Sequence, residues 1–247
     1  MQSGNNQRLQ VPYWRNLRYD CHQFHVPLET LGRRKLLSLE SMPFNELVLG
    51  THNKKKAAEM IKLLAPYGLR LLTLADVRNA IEVEESGATF AENAALKAGV
   101  QALHLGRWVM GEDSGLSVDA LHGEPGVYSA RFSGPGATDE KNNALLLKKL
   151  ELIRDSQRTA HYVCQIALSD PQGNIRATSA GKCCGTIRRQ PVGSGGFGYD
   201  PLFEITEYHL TFAELGDDVK AVLSHRARAM RRILPEIVRF AKEADRP

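Results

Sequence analysis

The chain has 247 residues, 43% hydrophobic and 24% charged, with a formal net charge of +4. That length suits one large α/β domain or two small ones, and the composition is that of a chain able to bury a sizeable core. No apolar run approaches the length of a membrane span, so no membrane contact is expected. Residues 1–42 hold six Arg or Lys against three Asp or Glu and so carry +3 of the charge, which leaves weak ground for nucleic-acid binding by the remainder. Cys21, Cys164, Cys183 and Cys184 match no zinc spacing and read as reduced thiols of a cytoplasmic protein.

Residues 1–45 show no sustained period and carry a basic knot at Arg33-Arg34-Lys35. They lack the apolar core of a secretory signal, and Asp20, Glu29 and Glu40 count against a transit peptide. We read them as a poorly ordered or extraneous extension, with Met42 a candidate initiator, and place one domain over 46–247. Glu46 to Gly50 is a short apolar strand, followed by Thr51-His52-Asn53 and by a helix from Lys54-Lys55-Lys56 to about Leu64. Asn53 is a good N-cap, and Ala57, Ile61 and Leu64 share a face. Three lysines at a helix N-terminus oppose the dipole and suggest an anion that compensates them. The glycines and the Lys-Ser/Thr ending of a Walker loop are absent.

Leu69 to Leu74 reads as a second strand, and Ile81 to Gly87 as an acidic edge segment. Thr89-Phe90-Ala91-Glu92 is a capping box opening a helix to about Leu105, with Asn93 and Lys97 one turn apart on one face. Trp108 to Val118 is the centre of the chain. Three apolar residues lead in, the chain is expected to turn at Gly111, Glu112 and Asp113 follow, and Gly115 closes the turn. Adjacent residues on extended backbone point to opposite sides, so the two acids are expected to do different jobs.

Thr138 caps a helix with Leu145, Leu146, Leu147 and Leu150 as its apolar stripe. His161 to Leu168 and Ile175 to Ile187 form a β-hairpin around Asp170-Pro171-Gln172-Gly173-Asn174, which predicts a mixed sheet. In Gly193 to Pro201, four glycines permit close backbone approach to a ligand, and Phe197 and Tyr199 offer faces for a base. A last helix starts near Asp217, is expected to kink or restart at Pro235, and takes Val222, Ala229, Ile233, Ile237 and Phe240 as its apolar side.

Together these motifs resemble the inosine triphosphate pyrophosphatase family, from about Leu47 to Ala241. The resemblance rests on Thr51 to Lys56, Glu84 to Ala94, Asp113-Ser114-Gly115-Leu116, Pro125 to Arg131, Gly195 to Pro201 and Ser224-His225-Arg226, in that order. It implies an α/β fold, a mixed twisted sheet flanked by helices, with two lobes around a central nucleotide cleft. It also implies that Thr51, His52, Asn53, Lys54, Lys55 and Lys56 hold the triphosphate, with Lys97 a further contact and Ser114 touching the phosphates. Phe197, Gly198, Tyr199, Asp200, His225 and Arg226 are then the base pocket, and Lys220 reaches the substrate. Glu84 and Asp113 are the implied Mg2+ ligands, and Asp113 the implied general base. A homodimer is implied as well. His52 stands where the family commonly has glycine, and Glu112 where it often has aspartate.

Such a site suits phosphoanhydride cleavage, which needs charge neutralisation more than covalent help. Water attacking the α-phosphorus of ITP, dITP or XTP expels pyrophosphate and leaves the monophosphate. Donors from Arg226 or His225 that pair with a 6-oxo group are left unpaired against adenine, at about 1–3 kcal/mol for each buried group. The alternatives are a pyrophosphatase for other modified nucleoside triphosphates and a non-catalytic nucleotide- or RNA-binding module, the latter suggested by the basic last helix.

Overall fold

The computed structural model describes Phe44 and residues 46–244. The expectations for the N-terminal extension, Met42 and Cys21 therefore lie outside the described residues, apart from Phe44. Strand β1 (Glu46–Gly50) leads into helix α1 (Lys54–Leu64), and β2 (Arg70–Thr73) is followed by α2 (Phe90–Leu105) and β3 (Val109–Val118). Next come α3 (Asp139–Lys149), the hairpin β4 (Thr159–Ser169) and β5 (Ile175–Ile187), and the short β6 (Phe203–Ile205) and β7 (Leu210–Thr211). Helices α4 (Phe212–Leu223) and α5 (His225–Ala244) end the described chain.

The strands form a single seven-stranded sheet in the order β2-β1-β3-β4-β5-β6-β7. Strand β1 pairs in parallel with β2 and β3, and every later pairing is antiparallel. The mixed sheet is what the hairpin signal predicted, and the α/β fold flanked by helices is what the family resemblance implied. No helix among the described residues is long and apolar enough to cross a membrane.

Two apolar cores lie at the two ends of β3 and β4. Met110, Cys164, Ile166 and Leu168 join Leu47, Met60 and Ile233 in one. Leu116, Val118 and Tyr162 join Leu146, Phe203 and Phe212 in the other. Between Met110 and Leu116, β3 carries Glu112, Asp113 and Ser114, so its polar waist falls where the two cores meet.

The central strand differs from its expected form. It does not turn at Gly111 or Gly115, and runs straight from Val109 to Val118. The glycines serve close approach instead: a Cβ on Gly111 would lie 2.2 Å from the Ala94 carbonyl oxygen and 2.6 Å from the Ala98 amide of α2. The small face of α2, with Ala94 and Ala98 buried, packs directly on that backbone. The two acids are therefore mid-strand residues on a covered sheet.

Helix ends follow their caps. The Asn53 side chain accepts from the amides of Lys55 and Lys56, and Thr89 and Glu92 form the expected capping box. On α1 the buried residues are Ala57, Met60 and Leu64; Ile61 is 38% exposed, so Met60 takes the core position read for it. The last helix is in fact two. Helix α4 opens upstream, with Thr211 and Glu214 as its capping box, but is interrupted at Gly216 (φ +76°, ψ 173°), so a helical run restarts at Asp217 as expected. The chain breaks again at Ser224, whose hydroxyl accepts from the Ala227 amide and starts α5. Helix α5 continues through Pro235, and Val222 is 59% exposed while Ala229, Ile233, Ile237 and Phe240 are buried.

We predict that Gly111→Ala lowers stability by an amount toward or beyond the upper end of the about 1–3 kcal/mol typical of overpacking. Urea denaturation of the purified variant checks this; an unchanged midpoint would show that α2 does not rest on the β3 backbone.

Candidate functional site

Alternation along β3 sends Asp113 and Glu112 to opposite faces. Asp113 meets α2: its Oδ1 accepts from Lys97 Nζ at 3.0 Å and its Oδ2 from Asn93 Nδ2 at 3.3 Å. Asn93 and Lys97 both reach it, as their one-turn spacing predicts. Lys97 Nζ is also 2.7 Å from Glu85 Oε1, so one ammonium bridges two carboxylates. Burial pushes the Asp113 carboxyl up, and Lys97 and Lys56 only partly offset it.

The acid of the 81–87 segment at this site is Glu85. It is half-buried, on Lys97 and 3.4 Å from Arg131, whereas Glu84 is exposed and contributes to none of the hollows near Asp113. The segment has no regular secondary structure, its exposure alternates so that Glu84 is open and Glu85 partly covered, and the Gly87 amide donates to Asn93 Oδ1. The family resemblance implied Glu84; the residue that meets Lys97 beside Asp113 is the one after it.

Glu112 faces α1 and α5 and has no solvent exposure. Its Oε1 accepts from Arg226 Nη2 at 3.0 Å, and its Oε2 is 3.1 Å from Lys56 Nζ. Burial works to raise this carboxyl, but the Arg226 and Lys56 charges outweigh it and hold it well below the ordinary carboxylate range. Arg226 is itself buried. Its Nη2 also donates to Ser114 Oγ at 2.9 Å, and its Nη1 donates to Glu59. Glu59 pairs in turn with Lys220 Nζ at 2.8 Å. Sequence reading missed Glu59; its one signal is its place three residues after Lys56 on α1.

The break at Ser224 puts His225 and Arg226 in the first turn of α5, facing inward. The His225 ring stacks on Tyr162 at 4.7 Å between centroids. Burial, helped by the Arg226 charge, drives its basicity far down, so the ring is neutral. His225 Nδ1 and Arg226 Nε are buried polar atoms without a hydrogen-bond partner in the protein.

The glycine-rich loop is built around Asp200, which is buried. Asp200 Oδ2 accepts from Lys220 Nζ at 2.6 Å and from the Phe197 amide at 2.9 Å. Gly196 has φ of +73°, and a Cβ there would strike that same carboxylate. Helix α3 pins the loop from outside: Asp139 accepts from the Gly198 amide and Asn143 donates to the Gly198 carbonyl. Tyr199 is buried with its hydroxyl on the Ser129 carbonyl, so it is committed to the scaffold and only Phe197 offers an accessible ring. Lys220 Nζ lies 4.1 Å from that ring's centroid.

Asn53, Lys56, Ser114, Phe197, His225 and Arg226 share one hollow of about 100 Å³. Thr51, His52, Lys56, Glu85, Lys97 and Asp113 share a second of about 220 Å³. Lys55 lines a third, of about 300 Å³, with Phe197 and Lys220. Lys56 and Asn53 line both of the first two, which makes the lysine turn their junction. Lys54 is exposed and lines none of the three. Because Asn53 Oδ1 already takes the amides of Lys55 and Lys56, the anion-binding capacity of this turn lies in lysine side chains more than in free backbone N–H groups.

Among the described residues, no group of three or more His, Cys, Asp or Glu is placed to hold a metal by itself. The carboxylates of Asp113 and Glu85, linked through Lys97, are hard oxygen donors of the number magnesium uses when substrate phosphates complete its shell. On the basic last helix Arg228, Arg231 and Arg232 are exposed, and they donate to the carbonyls of Leu223, Val222 and Ala180.

Comparison with known proteins bears on the same region. The family model described as Ham1 family matches residues 47–236. The chain is 51% identical over 197 residues to the Rhodopirellula baltica protein named dITP/XTP pyrophosphatase, covering 80% of this chain and 95% of that one. It is 49% identical over 197 residues to the protein of the same name from an Exiguobacterium species, covering 80% and 99%. Among solved structures, a HAM1 protein from Coxiella burnetii superposes with a TM-score of 0.72 at 36% identity, covering 78% of this chain and 98% of that one. A nucleoside-triphosphatase / dITP/XTP pyrophosphatase from Mycobacterium abscessus gives a TM-score of 0.64 at 42% identity, covering 77% and 99%. The chain belongs to the Ham1 family.

Proposed function

We propose that this protein hydrolyses deaminated purine nucleoside triphosphates, ITP, dITP and XTP, to the monophosphate and pyrophosphate. The observation that carries the reading is the opposed pair on β3. Asp113 gathers Lys97 and Glu85 on one face, and Glu112 gathers Lys56 and Arg226 on the other. Relatives named dITP/XTP pyrophosphatase support it.

In this reading Lys56, Lys55 and Lys97 neutralise the triphosphate, with Thr51, His52, Asn53 and Ser114 lining its path. Asp113 takes a proton from the attacking water, aided by the burial that raises its basicity. Asp113 and Glu85 would hold magnesium, which supplies charge neutralisation at the phosphates. Phe197 stacks the base. The unpartnered Arg226 Nε donates to a 6-oxo acceptor, and leaving a buried donor unmatched costs about 1–3 kcal/mol. Asp200 and Lys220 brace that pocket through their mutual ion pair. A homodimer and a cytoplasmic location belong to this proposal; the free thiols of Cys164, Cys183 and Cys184 agree with a reducing compartment.

A magnesium-dependent assay of pyrophosphate release from ITP, XTP, dUTP, GTP and ATP is expected to show preference for ITP and XTP. Binding without release would leave only a nucleotide-binding module. Asp113→Asn is expected to fold normally and lose about 10²–10⁴-fold in kcat; a folded, fully active variant removes the general-base assignment. Glu85→Gln is expected to raise the magnesium needed for half-maximal activity by about tenfold or more. Glu84→Gln, a surface change, should stay within about twofold of the parent. The reverse ranking in a magnesium titration would return the ligand role to Glu84.

A further inference from the structure

We propose that Glu112 is a positioning residue through which a triphosphate on the lysine turn sets the Arg226 guanidinium that reads the base. This rests on the nucleotide reading above and adds a residue to it.

One fully buried carboxylate serves two cations with different tasks. Oε1 accepts from Arg226 Nη2 at 3.0 Å, and Oε2 stands 3.1 Å from Lys56 Nζ. The two contacts differ in kind. Arg226 is buried and is also held by Glu59 and Ser114. Lys56 lies in the first turn of α1 with its side chain 16% exposed, against 1% for that of Arg226, and Glu112 is its one ion-pair partner among the described residues. Lys56 is therefore the loose partner.

A triphosphate arriving at the turn competes with Glu112 for the Lys56 ammonium. Once that charge swings to the phosphates, Glu112 is a buried anion with a single strong counter-charge, which makes its pairing with Arg226 more valuable. The Cys164 thiol, 3.4 Å from Oε1, supplies only a weak donor and no charge. Nη2 is then committed to Glu112 and Ser114, and Nε, a buried donor without a protein partner on a residue that lines the hollow, is the one left for the base. Phosphate binding on one side of the carboxylate thus orders base reading on the other. Glu112 does this without touching substrate.

Glu112→Gln tests the proposal, since it keeps the shape and removes the charge. The ratio of kcat/KM for ITP to that for ATP is expected to fall by about tenfold or more, with the loss carried by KM for ITP. Inorganic pyrophosphate, titrated calorimetrically, is expected to bind at least as tightly as to the parent, because Lys56 has lost its competitor. Glu112→Asp, which restores the charge one methylene further back, is expected to fall between the two. A ratio within about twofold of the parent, an equal loss of kcat on both nucleotides, or pyrophosphate binding that weakens with the ratio overturns the proposal. If the Gln variant does not fold, the Asp variant decides: a lowered ratio with pyrophosphate affinity kept supports it, and an unchanged ratio overturns it. A parent protein that releases no pyrophosphate from ITP sinks the functional reading itself, and that outcome is seen before any variant is compared.

Discussion

A carboxylate with no access to water must find its solvation inside the protein, and Glu112 is that carboxylate. An unpaired buried charge is strongly destabilising, so its burial on β3 obliges cations to come to it. They arrive from elements far apart in the chain: Lys56 from the start of α1 and Arg226 from the start of α5. Glu59 then closes the arrangement, since Arg226 and Lys220 together bring more positive charge than Glu112 alone can match. The lysine turn and the start of α5 are thereby held to one strand by charge, at the level where the two apolar cores meet.

The same logic recurs on a smaller scale in the glycine-rich loop. Asp200 is buried with Lys220, and the loop backbone wraps the carboxylate so closely that Gly196 has no room for a side chain. The glycines shape the loop around its own aspartate first. Phe197 is the ring this arrangement leaves accessible, while Tyr199 is spent on the Ser129 carbonyl. A loop that reads in sequence as open to ligand is therefore stiffened from within. That suits a pocket which must discriminate, because a preorganised donor loses more when its acceptor is missing.

Opposite the Glu112 network, Asp113 lives under a different balance. It shares one ammonium with Glu85, whereas Glu112 contacts two cations, and its carboxyl is pushed up where that of Glu112 is held down. Two adjacent acids on one strand thus differ in basicity because the sheet gives them different neighbours. One is suited to trade a proton, the other to remain a fixed charge.

Much of this was legible in the chain itself, for local physical reasons. Strand β1, the Asn53 and Thr89 caps, the bounds of α1 and α2, and the β4–β5 hairpin follow from periodicity and capping, which act within a few residues. Opposite roles for Glu112 and Asp113 follow from the pleat alone. Other features were decided only by packing across the chain. Gly111 marks a turn to local reading, yet it is a flat place in a straight strand because the α2 backbone lies on it. Glu85 rather than Glu84 meets Lys97, in an irregular segment that Asn93 ties to α2. Glu59 meets Arg226 across a separation of 167 residues, and no local pattern encodes that pairing. Backbone propensity is written into neighbouring residues, whereas compensation of buried charge depends on which distant side chains the fold brings within a few ångströms.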